Sequence, residues 1–162
     1  MGLGLKDLVI INTDDATLVA EKSQSENIKE LVKELDLGTQ VMFFKDIGDD
    51  LKNALIAKSN IFVMPSVIYK TSVEGFGIAY VEAAQYGVAS LGGKDGGAPD
   101  AIHHDKTGLI CDGNNLDDIY SSLNSMIEDK KYLELGKNAK ELSSKFYWSN
   151  IVENYKKILK AS

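Results

Sequence analysis

Short apolar runs alternate with amphipathic segments over the first two thirds of the chain. Largely apolar runs stand at 8–11, 41–44, 60–66 and 88–91. Runs of this length predict strands that are buried on both faces, as in a parallel sheet. Apolar residues at helical spacing, or a high Ala content, favour helices between them at 25–35, 49–59 and 77–87. The alternation predicts an α/β fold: a Rossmann-like parallel sheet with helices on both faces.

The ends of two predicted helices carry typical signals, and further elements follow. Asp49 is placed to cap the helix at 49–59, and Gly87 is placed to end the helix at 77–87. The last third of the chain predicts a small fifth strand at 107–110 and then three helices, the first and the last of which have an apolar stripe. On the last helix, Trp148 and Tyr155 have the spacing of core residues, so we expect them to pack.

The charge balance excludes one class of partner. The chain carries 24 acidic residues against 18 lysines and no arginine, a net charge of −6. A nucleic-acid-binding face needs clustered basic residues, so we expect no nucleic-acid partner. Without arginine, phosphate would be held by lysine or by backbone N–H groups. Cys111 is the single cysteine and cannot form an internal disulfide, which fits a reducing, cytoplasmic location. Its side chain is expected to be buried or half-buried.

Four loops follow the predicted strands, and the last two are rich in glycine. These loops span 12–16, 45–49, 65–77 and 91–99. Ligands of open α/β sheets bind beyond the carboxyl ends of the strands, where such loops gather. The two glycine-rich loops are therefore the first place to look for a site.

Two glutamates accompany the glycines of the third loop. Gly75 and Gly77 precede a helix expected to begin near Ile78, whose first N–H groups and dipole would stabilise a diphosphate. Glu74 comes just before the glycines, and Glu82 lies about one turn inside the helix. Carboxylates repel phosphate, but they accept hydrogen bonds from hydroxyl pairs. A nucleotide sugar, a diphosphate flanked by polyhydroxylated rings, would satisfy both the acids and the glycines.

The same segment resembles a known family signature. Glu74, seven intervening residues and Glu82, within "PSVIYKTSVEGFGIAYVEAAQYGVAS", resemble the E-x7-E signature of the retaining GT-B glycosyltransferases known as glycosyl transferases group 1. The fragments "MPS", "EGFG", "EA", "GGAPDAI" and "TGLI" match in order as well, and the resemblance covers about Leu8 to Leu159. It implies the C-terminal, donor-binding domain of a hexosyltransferase. Such an enzyme transfers a sugar from a nucleoside-diphosphate sugar to a glycan or lipid-linked acceptor.

The resemblance also implies roles for single residues. Glu74, the residue assigned to catalysis, would hold and orient donor-sugar hydroxyls, and Glu82 would hold the ribose hydroxyls. The N–H groups of 76–78 would face the diphosphate or the sugar. The other residues implied in donor binding are Gly75, Phe76, Gly77, Ile78, Gly96 and Gly97, with Ile47 bordering the base. The nucleotide sugar is a substrate, and neither a cofactor nor a metal site is expected.

Two parts of the family pattern are missing from the sequence. Members have an N-terminal acceptor-binding domain, and their donor domain has a first strand followed by an Arg and a Lys that grip the diphosphate. Here "NTDDA" stands where members commonly have "GDG", so Asp14 and Asp15 are not expected to bind phosphate. We expect 1–162 to be a single nucleotide-sugar-binding domain that transfers nothing alone. Its expected partners are the absent domain and, through the full-length enzyme, a membrane surface.

One consequence concerns the last helix. In the family the C-terminal helix often crosses to the N-terminal domain, which would leave part of the stripe at 148–159 as an exposed apolar patch.

Two other functions stay open. One is a nucleotide-sugar epimerase of GT-B fold, whose site would need further carboxylates and a histidine such as His103, although His103 and His104 are expected on a surface turn. The other is a non-catalytic nucleotide-binding or interaction module. The absence of G-x-G-x-x-G after the first strand counts against a nicotinamide cofactor. Lys94 is expected to be solvated rather than bound to diphosphate.

Overall fold

The chain forms a five-stranded sheet. The structure, a computed structural model, describes residues 8–12, 17–21, 25–44, 46–68, 70 and 73–161. The strands are β1 Leu8–Asn12, β2 Thr17–Glu21, β3 Ile61–Met64, β4 Ala89–Gly93 and β5 Gly108–Cys111, in the spatial order β1-β2-β3-β4-β5. β2 to β5 are mutually parallel, and β1 pairs with β2 in antiparallel fashion. The predicted α/β fold is confirmed, with one antiparallel edge strand added.

One predicted strand is wrong and another was not predicted. The run at 41–44 forms no strand of the sheet; Met42 is exposed, and Phe44 packs on the core as part of an irregular segment. The place next to β3 is taken by β2, whose residues lie between the loop predicted at 12–16 and the helix predicted at 25–35 and were assigned to no element. A run of four apolar residues does not by itself distinguish a strand from an irregular segment, which explains the error at 41–44. The position of β2 depends on its antiparallel pairing with β1, which a short apolar run does not indicate.

The helices lie largely where the periodicity predicts. They are α1 Ser25–Glu34, α2 Asp49–Lys58, α3 Ile78–Gln85, α4 Ala98–Ala101, α5 Leu116–Ile127, α6 Lys131–Ser143 and α7 Trp148–Ala161. The predicted cap by Asp49 is wrong: Gly48 is the N-cap of α2, and Asp49 is the first helical residue, where its charge suits the helix dipole. Gly87 follows the last turn of α3 with φ +78°, as expected of a glycine that ends a helix.

The sheet divides the core in two. Phe62 belongs to a cluster on one face with Tyr80 of α3 and Ala101 of α4. Its neighbours Ile61 and Val63 belong to a second cluster with Met126 of α5 and Leu135 of α6. Successive residues of a strand point to opposite faces, so β3 is covered by helices on both sides. β3 is also the middle strand of the sheet, and its carboxyl end leads to the loop that contains Glu74.

Most of the apolar stripe of α7 is exposed. Trp148 is 79% exposed and Tyr155 is 65% exposed, so the prediction that they pack is wrong, and the exposed patch expected from the family resemblance is present. Among the described residues, no helix combines the length and the apolar character that crossing a membrane requires.

Candidate functional site

The two glycine-rich loops pack against each other beyond the carboxyl ends of β3 and β4. The N–H of Gly97 donates to the carbonyl oxygen of Glu74 at 2.9 Å. A Cβ atom built on Gly97 would lie 2.0 Å from the carbonyl oxygen of Gly75, and one built on Gly96 would lie 2.5 Å from that of Glu74. Four of the predicted site residues are therefore brought together through their backbones.

The glycines differ in whether the packing of the two loops leaves room for a side chain. Gly96 has φ +72° and Gly97 is buried, so both are required by the packing of one loop on the other. Gly75 is exposed, and a Cβ atom at that position would meet nothing within 4 Å. Packing therefore does not explain Gly75, whose open surroundings leave room for a ligand to approach the backbone.

A buried tyrosine supports the start of α3. Gly77, the N-cap of this helix, has φ +80°, and a Cβ atom there would lie 2.3 Å from the ring of Tyr80. The Tyr80 hydroxyl donates to the carbonyl oxygen of Met64, the last residue of β3. Burial raises the pKa of Tyr80 to about 12, so the hydroxyl stays a donor at any physiological pH. The helix start is thus tied to the end of the central strand.

Glu74 folds back onto this helix start. Its Oε1 atom accepts a hydrogen bond from the N–H of Gly77 at 3.0 Å, and its side chain is half-buried. In this structure the Gly77 N–H, which was predicted to face the ligand, therefore faces Glu74. The first N–H groups of a helix lack acceptors inside the helix, so an anion bound at this helix start would be stabilised by those of Ile78 and Ala79.

The exposed side chains beside the helix start are apolar. Phe76 and Ile78 are both exposed, and the Phe76 ring lies 5.5 Å from that of Phe146, centroid to centroid, in a tilted arrangement. Phe146 ends the short turn between α6 and α7, so this contact connects the glycine loop to the C-terminal part of the chain.

Glu82 has a charged partner on another helix that the sequence pattern does not indicate. The Nζ atom of Lys52 lies 3.3 Å from both carboxylate oxygens of Glu82, joining α2 to α3 across 30 residues of sequence. The same ammonium lies 3.5 Å from Asp49 in the preceding turn. The sequence shows how Lys52 is spaced from its neighbours on the same helix, but this spacing does not predict a contact with Glu82 on another helix.

The predicted base-bordering residue is held by the core. Ile47 is half-buried and packs against the cluster that contains Phe62 and Tyr80. It directly precedes Gly48, the N-cap of the helix that carries Lys52. The loop at Ile47 is thus connected to Glu82 through the first turn of α2.

An ion pair links the loops after β4 and β5. The Nζ atom of Lys94 lies 2.6 Å from a carboxylate oxygen of Asp112, and the Lys94 N–H donates to the carbonyl oxygen of Cys111. The hydrogen bond between the two side chains raises the pKa of Lys94 and lowers that of Asp112. Lys94 is exposed, as expected, but it is paired with Asp112 rather than merely solvated.

The histidines lie elsewhere. His103 and His104 are exposed, and His104 bridges to Gly108, the first residue of β5. Gly108 lies at the amino end of β5, whereas the loops that contain Glu74 and Gly97 lie at the carboxyl ends of the parallel strands. Among the described residues, no group of three His, Cys, Asp or Glu side chains is arranged to hold a metal ion. Asp14 and Asp15 lie outside the described residues.

The sequence profile described as Glycosyl transferases group 1 matches residues 7–142. The chain belongs to this glycosyltransferase family. A GDP-mannose-dependent phosphatidylinositol monomannoside mannosyltransferase of Mycobacterium tuberculosis is 28% identical over 130 residues, which are 78% of this chain and 34% of that protein. The chain thus spans about a third of the length of this curated relative.

Solved structures agree with the family. HepE of Anabaena, solved in complex with UDP, is 25% identical with a TM-score of 0.70, and the match covers 86% of this chain and 38% of that one. The C-terminal domain of a group 1 glycosyl transferase of Francisella tularensis, 24% identical, has a TM-score of 0.65, covering 77% of this chain and 63% of that one. The fold of this glycosyltransferase domain is therefore that of a GT-B C-terminal domain.

Proposed function

We propose that this chain is the donor-binding domain of a retaining hexosyltransferase that uses a nucleoside-diphosphate sugar. The observation that carries the proposal is the meeting of Glu74, Gly75 and the start of α3 on the Gly96–Gly97 loop, beyond the carboxyl end of the central strand. Family membership and the UDP bound to the related HepE support the class of ligand.

The roles proposed for the residues are those that the family resemblance implies. With Oε1 of Glu74 held by Gly77, Oε2 stays available to accept a hydrogen bond from a hydroxyl of the donor sugar. Glu82 would accept hydrogen bonds from the ribose hydroxyls, and the segment at Ile47 would border the base. The backbone at Gly75 and Phe76 would approach the ligand from the open side of the loop, and Gly96 and Gly97 would line the sugar side.

Catalysis in this proposal is mainly electrostatic. When the bond between the anomeric carbon and the diphosphate breaks, negative charge develops on the leaving diphosphate. The N–H groups of Ile78 and Ala79 and the positive end of the α3 dipole would stabilise that charge without reorganising. Glu74 would orient the sugar and would not form a bond to it. In this proposal the N–H groups and the dipole of α3, rather than an arginine of this chain, stabilise the diphosphate.

We further propose that a second, acceptor-binding domain completes the enzyme and selects a glycan or lipid-linked acceptor. The support is that the chain covers only 34% of the mannosyltransferase of Mycobacterium tuberculosis. An epimerase is less favoured, because His103 and His104 lie near the amino ends of the parallel strands, whereas Glu74 lies beyond their carboxyl ends.

Ligand titration tests the proposal directly. UDP and GDP, each with and without an attached hexose, are titrated into the full-length protein by calorimetry. We expect one base to be preferred, and the attached sugar to add affinity that Glu74→Gln removes. The anomeric configuration of the transferred sugar, read by NMR, tests retention. Failure of these four ligands, and of the corresponding ADP and dTDP ligands, to bind the wild-type protein would show that it is not a nucleotide-sugar enzyme.

A further inference from the structure

The side chain of Lys52 is mostly buried and pairs with Glu82. It is 16% exposed, and the side chain of Glu82 is 32% exposed. The third member of the group, Asp49, has a side chain that is 80% exposed and lies farther from the ammonium. The close, sheltered contact is therefore the one between Lys52 and Glu82.

The geometry of this contact constrains the carboxylate. Because Nζ is 3.3 Å from Oε1 and 3.3 Å from Oε2, the ammonium sits between the two oxygens and opposes rotation of the carboxylate in either direction. A partly buried pair is screened less by solvent than a surface pair. A carboxylate offers about four lone-pair positions, so each oxygen keeps at least one for another donor.

We propose that Lys52 is a positioning residue for nucleotide binding: it fixes Glu82 in the orientation in which the free lone pairs of both oxygens accept the two hydroxyls of the ribose. This inference rests on the proposed function, since it deepens the role given to Glu82. Fixing a flexible glutamate before the ligand arrives removes an entropy loss that binding would otherwise include. Lys52 thereby sets the preference of the site for a ribose with both hydroxyls.

The test compares ligands that differ only in those hydroxyls. Affinities of the full-length protein are measured by calorimetry for the preferred nucleoside diphosphate, UDP or GDP, and for its 2′,3′-dideoxy form. The variants are Lys52→Met, Lys52→Arg and Glu82→Gln. Lys58→Met, which alters an exposed lysine at the end of the same helix, is the control. Thermal unfolding of each variant checks its fold.

We expect the wild-type protein and Lys58→Met to prefer the ribose form by about tenfold or more, the size of effect typical of hydrogen bonds to a charged group. Lys52→Met should reduce this preference to that of Glu82→Gln, with little change in affinity for the dideoxy form. Lys52→Arg should retain most of it. A uniform loss of affinity for both ligands would indicate a structural role only and would overturn the inference.

The remaining outcomes separate this inference from the proposed function. If Glu82→Gln loses the preference and Lys52→Met keeps it, the positioning role is wrong and the proposed function stands. If both keep it, Glu82 does not bind the ribose, and the inference is wrong. If wild type binds none of UDP, GDP, ADP and dTDP, the proposed function fails and the inference fails with it. Should Lys52→Met not fold, Lys52→Gln takes its place under the same criteria.

Discussion

The Oε1 atom of Glu74 lies 3.0 Å from the backbone nitrogen of Gly77, the residue from which α3 begins. One oxygen closes the loop on the helix start. In the proposed function the other oxygen accepts a hydrogen bond from a hydroxyl of the donor sugar. A substitution at Glu74 can therefore act through the structure or through binding, and a useful experiment must separate the two.

Glu74→Gln makes this separation. The glutamine keeps a side-chain oxygen that can accept from Gly77, but it loses the charge that strengthens a hydrogen bond from a sugar hydroxyl. We expect kcat/KM of the full-length enzyme to fall about 10-fold to 100-fold, as for the loss of about 1.4 to 2.7 kcal/mol of transition-state binding. The melting temperature should change by less than about 2 °C.

Glu134→Gln, an exposed acid on α6, is the matched control and should leave kcat/KM unchanged. Wild-type kcat/KM and wild-type donor affinity in Glu74→Gln would show that Glu74 only closes the loop.

Two glycines of the site predict opposite phenotypes. In Gly97→Ala the new Cβ atom would lie 2.0 Å from the carbonyl oxygen of Gly75, so the two loops must separate, at a cost of about 1 to 3 kcal/mol of folding free energy. In Gly75→Ala the Cβ atom enters open space, so stability should change by less than about 0.5 kcal/mol. In the proposed site the methyl group would occupy the side of the backbone that the donor approaches, so donor affinity should nevertheless fall about tenfold.

Urea unfolding followed by circular dichroism measures the first effect, and calorimetry with the nucleotide sugar measures the second. The assignment of Gly75 to the ligand would be wrong if Gly75→Ala bound the donor with unchanged affinity. Equal stability of Gly97→Ala and wild type would contradict the loop packing.

Local patterns predicted much of the fold. The apolar run at 60–66 contains β3, the Ala-rich segment contains α3, and Gly87 ends that helix at a positive φ. Periodicity and glycine signals are properties of a few neighbouring residues, so they can be read from the sequence. The run at 41–44 shows the limit, because a run of four apolar residues does not by itself determine a strand, and here the run is irregular with Met42 exposed.

In the candidate site, too, groupings of residues close in sequence were predictable, whereas contacts between distant residues were not. Glu74, Gly75 and Gly77 are close in sequence, and their grouping was predictable. The pairing of Lys52 with Glu82 spans 30 residues, and the contact of Gly97 with Gly75 joins two loops, so both depend on how the helices and loops pack. The engagement of the Gly77 N–H by Glu74 was also missed, since the resemblance assigned both groups to the ligand rather than to each other.

The hydroxyl of Tyr80 offers a test of how α3 is anchored. Tyr80→Phe keeps the buried ring and removes the donor to Met64. The Met64 carbonyl also accepts from the N–H of Ser66 at 2.8 Å, so it is not left without a hydrogen bond. We expect a loss of about 1 kcal/mol of folding free energy, the ordinary net value of one hydrogen bond.

Tyr86→Phe, at the exposed C-terminal end of the same helix, should be neutral and serves as the control. A loss of more than about 3 kcal/mol in Tyr80→Phe would mean that the hydroxyl does more than donate to Met64.

The thiol of Cys111 predicts a stability loss in alkali. Burial raises its pKa from 9.0 to about 11, with smaller contributions from the charges of Asp118 and Asp112. The folded state therefore holds the thiol proton at pH values where the unfolded chain releases it. The stabilisation is fully present below pH 9 and is lost as the pH rises to 11, with a slope of at most about 1.4 kcal/mol per pH unit from this group.

Cys111→Ala isolates the contribution, because tyrosines and lysines titrate equally in both proteins. The free energy of unfolding of the variant should fall less steeply between pH 9 and pH 11 than that of wild type, whatever the absolute difference caused by the smaller side chain. Reaction of the native thiol with a disulfide reagent should be slow over the same range, since the thiolate is the reactive species. Parallel stability curves, or rapid reaction at pH 9, would place Cys111 in contact with water rather than in the core beside Leu109 and Met126.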